Sequence, residues 1–300
     1  MAAGTESPTT AASIAPRRPV ADALAGVLHW LRRDLRAALS LGFLLFLVAV
    51  AALAPVIAPH SPTTQDINAM LLPPSAEHWL GTDDLGRDVL SRLIHGAPAT
   101  LYASFLAVGI ACLIGIPIGL AAGFAGGWLD DVISRVVDTL LSFPAIVLAI
   151  GVTGALGIGL TNGMISVGIV FSPLLARLVR AQTLVVKQEL YVDAARCFGA
   201  SPVRIVVHHI VPNAIQPVIV QVTLLLAAAL LAEASLSFLG LGVQPPNPSW
   251  GAMLARAYNY LEIAPEQMYA PGLAILLTAL SFNALGESLR VALDPTMKHR

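Results

Sequence analysis

Lysine is the first residue type to weigh, because a nucleotide-binding loop needs it in Gly-Lys-Ser/Thr. The chain has only Lys187, after Val186, and Lys298, after Met297. Neither sits in that setting, so hydrolysis of ATP by this chain is not expected. Histidine is next. His208 and His209 are neighbours and point to different helix faces, whereas metal ligands usually share one. His60, His78 and His95 are scattered through a polar stretch. No metal site is expected. Cys112 lies in an apolar run and Cys197 in a polar one, so both read as small packing residues rather than a pair. Asp138, Glu233 and Glu287 fall inside or at the edge of long apolar runs, where an ionisable group is expensive. Either they line a solute path or gate, or they make an interhelical hydrogen bond or sit at an interface. Glu287 stands three residues before Arg290 and can pair with it on one helix face. Of the three, Glu233 is the first choice for a pathway, and Glu233→Gln is expected to alter transport more than assembly.

The elements that must hold these residues are set by composition. Of 300 residues 56% are apolar and 12% charged, with a mean hydropathy of +0.77. Ordinary soluble proteins carry about 25% charged residues. Six apolar stretches, at 37–58, 99–123, 134–156, 163–183, 213–238 and 269–291, each come near the ~20 residues that cross a bilayer. An all-α polytopic membrane protein is expected, with membrane lipid as its surroundings. A soluble enzyme, a disordered chain and a nucleic-acid binder are excluded, the last also by a net charge of −1. The first apolar run is too long for a signal-peptide core and reads as a retained span. Residues 1–36 read as a basic, unstructured leader, 37–98 as the first span plus an outer segment, 99–296 as the main membrane domain and 297–300 as a tail. Lysine and arginine split 14 to 3 between the two sides of six spans, which places both termini in the cytoplasm. Pro117, Pro144, Pro173 and Pro217 fall inside spans and read as kinks in packing or as hinges. Gly109, Gly115, Gly119 and Gly123 permit close helix contact.

Two outer segments are longer than turns. In 59–98, Thr82 or Asp83 is expected to cap a short amphipathic helix. Leu85, Val89, Leu90, Leu93 and Ile94 would face the membrane, and Arg87, Asp88, Ser91 and Arg92 would face away. In 240–268, Gln244-Pro245-Pro246-Asn247-Pro248-Ser249-Trp250 reads as a stiff loop with an interfacial tryptophan. The longest internal cytoplasmic connection is 184–213. A helix over about Lys187 to Phe198 is stopped by Gly199 in the left-handed region. Ser201 caps a second helix with Pro202 at its first position, and Pro212 is expected to end it. Leu190, Tyr191, Ala194, Ala195 and Phe198 share one face of the first helix and suit docking into a partner's cleft.

On these residues the chain resembles the inner-membrane permease subunits of ABC importers. Their cytoplasmic motif is Glu-Ala-Ala, three residues, Gly, nine residues, Ile, one residue, Leu-Pro. Here Asp193-Ala194-Ala195, Gly199 and Pro212 match it, with aspartate for glutamate, Val211 at the leucine and His209 at the isoleucine. The ending His209-Ile210-Val211-Pro212-Asn213 is similar to that of the dipeptide/oligopeptide (and nickel) permease group. So are Gly81–Asp88, Glu233–Gly242, Pro245–Trp250 and Leu293-Asp294-Pro295, which resemble the second permease subunit of that group.

The resemblance implies a type I ABC importer permease fold that moves peptides by alternating access. Tyr191, Asp193, Ala194, Ala195, Gly199, Ser201, Pro202 and Pro212 would form the loop that couples to an ATPase. Partners would be a second permease subunit, two ATPase subunits carrying ATP and magnesium, and an extracytoplasmic binding protein. No cofactor would be held by this chain. Arg87, Asp88 and Trp250 either contact that binding protein or are structural, Arg87 and Asp88 by solvating the outer helix. The same machinery carrying nickel complexes, haem or another small solute is the alternative. A self-sufficient secondary transporter would need inverted repeats and paired intramembrane charges, and a non-transporting scaffold would leave the two-helix loop unexplained.

Overall fold

The computed structural model describes residues 34–293. The readings of the leader with Arg17, Arg18, Arg32 and Arg33, and of Asp294 to Arg300, lie outside them. The described residues form helices and connecting loops, with one isolated bridge between Thr82 and Asp88. The helices are α1 Leu35–Ile57, α2 Val89–Ala125, α3 Gly127–Ser142, α4 Ala145–Leu156, α5 Leu160–Lys187, α6 Leu190–Cys197, α7 Pro202–Phe238, α8 Trp250–Tyr258 and α9 Glu266–Leu293. Of these, α1, α2, α5, α7 and α9 are long and apolar enough to cross a membrane, and α3 with α4 makes a sixth crossing only as a bent pair.

Each boundary has a local cause. Asp34 caps α1, its carboxylate accepting from the amides of Arg36 and Ala37. The Ser288 hydroxyl of α9 nearby, with the two amides, holds that carboxyl below its usual range. Asp88 caps α2 through Ser91 N–H at 2.7 Å. Gly126 and Gly127, at φ +68° and +59°, turn the chain from α2 into α3, a backbone region that side chains resist.

The third span is not straight. α3 and α4 meet at 98°. Phe143, in front of Pro144, is extended at φ −84°, ψ 143°, because the proline ring excludes the helical region from the residue before it. Pro117, Pro173 and Pro217 instead stay inside α2, α5 and α7.

The centre of the bundle is a parallel pair, α2 and α5. Both run from the end holding residues 59–88 to the end holding α6. Gly115, Gly119 and Gly123, four residues apart, put the α2 backbone directly on α5. A β-carbon at Gly119 would stand 2.5 Å from the Ala176 carbonyl oxygen and 2.7 Å from Val179 Cβ. One at Gly115 would stand 2.7 Å from the Ser172 carbonyl oxygen, and one at Gly123 would stand 2.7 Å from Thr183 Cβ. Small residues are how membrane helices approach this closely. Gly109 is not part of the seam and has open space around it. α7, α9 and α1 pack around this pair, and the apolar core runs through Leu101, Ala107, Met164, Leu175, Leu230, Trp250 and Phe282.

Candidate functional site

The loop between α5 and α7 has its own foundation. Val192 is fully buried on α6 and packs with Val186 of α5 and Ile205, Ile210 and Ala214 of α7. Leu120 and Phe124 of α2 close this second core. Lys187 Nζ donates to the Phe124 carbonyl at 2.6 Å and lies over that ring. The loop is therefore bolted to the ends of three membrane helices. Gly199 takes φ +77°, with its N–H bonded to the Arg196 carbonyl, and so stops α6 as its type demands. Ser201 accepts from the Arg204 amide and Pro202 occupies the first turn of α7.

What the foundation presents is apolar and uncovered. Leu190 is 84% exposed and Phe198 91%. Tyr191, Ala194 and Gly199 are also exposed. Asp193 and Arg196 make a surface pair at 3.0 Å. Ala195 turns partly inward against the Val192 core. Partial burial and the nearby Glu189 push the Tyr191 hydroxyl above its ordinary value, so it stays neutral. Val192→Ala is expected to remove about 2 kcal/mol from this small core. Hydrogen exchange should then speed up over residues 188–205 while α2 and α5 keep their protection; unchanged exchange there would contradict the anchoring role.

Pro212 does not end the second helix. Residues 202–238 run on through one wide turn at Val206–Ile210, where the Val211 amide bonds the Val206 carbonyl five residues back. The wide turn absorbs the proline, which has no amide to give, and Asn213 Nδ2 caps the His209 carbonyl at 2.7 Å. Val211 itself stays helical at φ −55°. The loop is therefore one short helix, a glycine turn and the start of a long membrane helix.

At the opposite end, the residues read as surface contacts are interior. No short amphipathic helix forms; residues 81–88 are tight turns and α2 begins at Val89. Arg87 and Asp88 are 1% and 3% exposed, and Ser91 and Arg92 are also buried. Arg87 pairs with Asp83 at 2.6 Å, Arg92 approaches the same carboxylate at 3.3 Å, and Asp84 takes Arg256 at 2.9 Å. Arg92 also donates to the Pro62 carbonyl, and Gln267 to that of Thr82. Buried charges persist only when paired in this way. Trp250 is 1% exposed, with Nε1 donating to the Leu93 carbonyl at 2.9 Å and its amide to Thr100. Arg87, Asp88 and Trp250 brace the fold, and the expectation that they touch a binding protein is corrected by their burial. The histidine reading is corrected too: His60 and His78 are not scattered but stack with ring centroids 4.9 Å apart.

Glu233 is buried on α7 and does not open onto a path within this chain. Its Oε1 accepts from Ser237 at 2.8 Å and from Ser249, the cap of α8, at 2.9 Å. Gly251 packs against the other oxygen so closely that a β-carbon there would lie 2.8 Å from it. The carboxylate fastens α8 to α7. Glu233→Leu is accordingly expected to lower the temperature at which the purified chain unfolds, since it strands two buried hydroxyls at about 1–3 kcal/mol each. An unchanged melting curve would remove the fastening role. Asp138 lies differently. It pairs with Arg177 of α5 at 3.4 Å, and both side chains are well exposed. Glu287 pairs with Arg290 at 3.8 Å. A pair the sequence reading missed, Asp130 with Arg180, binds α3 to α5 by two hydrogen bonds; their fifty-residue separation left no local signal.

Residues 115–299 match the family of binding-protein-dependent transport system inner membrane components. Residues 24–74 match the N-terminal transmembrane domain of oligopeptide transport permease C. The dipeptide transport system permease protein DppC of Alkalihalophilus pseudofirmus is 43% identical over 251 residues, covering 84% of this chain and 83% of that protein. The glutathione transport system permease protein GsiD of Pectobacterium atrosepticum is 43% identical over 271 residues, 90% of each chain. Among solved structures, the MetNI methionine ABC transporter in inward-facing conformations gives a TM-score of 0.57 at 22% identity over 67% of this chain and 96% of that one, which is a likeness of fold. With this fold, this loop and relatives this similar, the chain belongs to the binding-protein-dependent inner-membrane permeases of ABC importers, as a multi-pass protein of the cytoplasmic membrane.

Proposed function

We propose that this chain is one of two unlike permease subunits that import short peptides, driven through α6 and the Gly199 turn by a separate ATPase pair. The observation that carries the reading is the loop of residues 188–205. It shows apolar Leu190 and Phe198 to the outside while Val192 bolts it to α2, α5 and α7. A face of that kind rewards a partner, and its foundation passes displacement straight to the membrane helices. The 14-to-3 division of basic residues supports a cytoplasmic position for this loop and for both termini. The ATPase must be another chain, because neither lysine stands in Gly-Lys-Ser/Thr. ATP and magnesium belong to that chain.

Short peptides are the proposed cargo because the named relatives serve dipeptide and glutathione transport. Delivery by an extracytoplasmic binding protein follows from the family. The second permease subunit is supported by Asp138 and Arg177. They stand on helices of candidate spans, α3 and α5, yet are exposed on this chain, and charges within spans face protein or a watery path rather than lipid.

The test is purification from the native cell in mild detergent, followed by reconstitution into vesicles. An ATPase pair and a second polytopic protein should co-purify, and dipeptide uptake should require ATP and the binding protein. A chain that purifies alone and transports without ATP would overturn the reading. ATP-dependent uptake of another solute, with dipeptides refused, would overturn the cargo alone.

A further inference from the structure

The end of the bundle opposite α6 holds a group of side chains that the transport reading does not use. His60, His78 and Asp88 each offer one ligand atom, and the three atoms lie within 4.8 Å of one another. They come from three places: the segment after α1, the turn before Gly81, and the cap of α2. The fold holds them together by its backbone. The His60 amide donates to Ser91 Oγ at 2.9 Å, and the Ser91 amide donates to Asp88 Oδ2 at 2.7 Å. Asp88 Oδ1 is thereby turned towards His78, whose Nδ1 donates to it at 3.0 Å. His60 Nε2 donates to the Glu77 carbonyl at 3.0 Å, which leaves its other nitrogen with an unshared lone pair.

The charge balance points the same way. Asp88 is 3% exposed. Arg87 and Arg92 stand nearby in sequence but are spent on Asp83 and Asp84. Among the described residues, the only side-chain partner within ion-pair distance of Asp88 is His78. A buried carboxylate facing two imidazoles, with only a helix N-terminus behind it, is short of positive charge.

We propose that His60, His78 and Asp88 bind one first-row divalent metal ion, of which zinc is the representative. Two nitrogens and one oxygen suit zinc, nickel or copper rather than magnesium or calcium. Ligand atoms about 2.0–2.2 Å from one ion stand roughly 3–4 Å apart. The 3.0 Å between His78 Nδ1 and Asp88 Oδ1 already fits, and the exposed His60 ring has to swing inward by about an ångström. The ion takes the place of the proton between His78 and Asp88, and that proton moves to His78 Nε2, so the imidazole binds as a neutral ligand. Three protein ligands leave a position open to water. Occupancy clips the segment after α1 and the turn beside Trp79 onto the first turn of α2.

This goes beyond the transport reading and is tested without transport. The full chain, purified in detergent with a tag free of histidine, is titrated with zinc by calorimetry. One zinc per chain is the expected result. His60→Ala should weaken binding by at least about tenfold, while His95→Ala, outside the cluster, should leave it unchanged. His60 is exposed, so its loss tests the site and not the fold; Asp88→Asn, which keeps a capping oxygen, gives a second loss of binding. Absence of stoichiometric zinc, or wild-type affinity in His60→Ala, overturns the proposal.

Discussion

Cells carrying Gly199→Asp are expected to lose uptake while the chain stays in the membrane. The two halves of that expectation rest on different features. Gly199 sits at φ +77° with nothing within 4 Å of where a side chain would start. An aspartate there meets no wall, and aspartate is among the residues that tolerate the left-handed region best. The cost to this chain is then about 1–2 kcal/mol, borne by a turn outside the bundle. Gly199 also lies beside Phe198 on the exposed apolar face. A carboxylate placed there must be stripped of water when a partner closes over it, and buried unpaired charge is far more expensive than left-handed backbone. The measurement is uptake alongside the amount of chain in washed membranes, with ATPase co-purification as the third readout. Uptake at the wild-type level would remove the glycine turn from the docking surface. Gly199→Ala separates backbone from charge: it carries a φ penalty at least as large with no carboxylate, and should retain the ATPase.

Gly119→Val is expected to fail in the other way, with little or no chain recovered. Even the first carbon of a side chain would overlap the Ala176 carbonyl and Val179. Those atoms are helix backbone and a branched side chain inside a dry seam, so nothing flexible can give way. Overpacking alone costs about 1–3 kcal/mol in a well-packed core, and here it also forces apart the two helices that centre the fold. Gly109→Val is the control. It adds the same side chain to the same helix where the surroundings are open, and should be recovered like the parent chain. The comparison is made by fluorescence-detected size exclusion of the two variants. Equal monodisperse peaks would show that the α2–α5 contact is looser than the structure has it.

The parts legible in the sequence were those written locally. The apolar runs marked α1, α5 and α9 within a few residues at each end, because hydrocarbon thickness sets their length, whereas α2 and α7 begin well before the expected 99 and 213, at Val89 and Pro202. Asp193-Ala194-Ala195, Gly199 and Ser201-Pro202 marked the loop, because a glycine stop and a serine-proline start act on their own backbone. Val192 was overlooked as the anchor because a lone valine between Tyr191 and Asp193 has no pattern of its own. Its burial depends on Ile205 and Ile210, which return to it across the glycine turn. Arg87 and Arg92 read as solvent-facing because charge in a polar stretch usually is; the carboxylates of Asp83 and Asp84 draw them inside instead. His60 and His78 meet only because the segment after α1 folds back over the start of α2. Pro212, expected to end a helix, is absorbed by a wide turn and Asn213, whereas Pro144, read as a kink or hinge inside a span, stands at a 98° corner.

The parallel contact of α2 and α5 has a consequence for the order of synthesis. Two neighbouring parallel helices cannot be consecutive crossings, since the chain must travel back between them. The glycine face of α2 is complete at Ala125, but its mate is not finished until Lys187, 62 residues later. At roughly 5–20 residues per second the ribosome needs about 3–12 seconds to supply it. During that interval the face of α2 that shows bare backbone has α1 and then the bent α3–α4 pair for company, but not the partner it was shaped for. The tightest joint in the finished protein is thus closed late, across a return segment that has already been laid down.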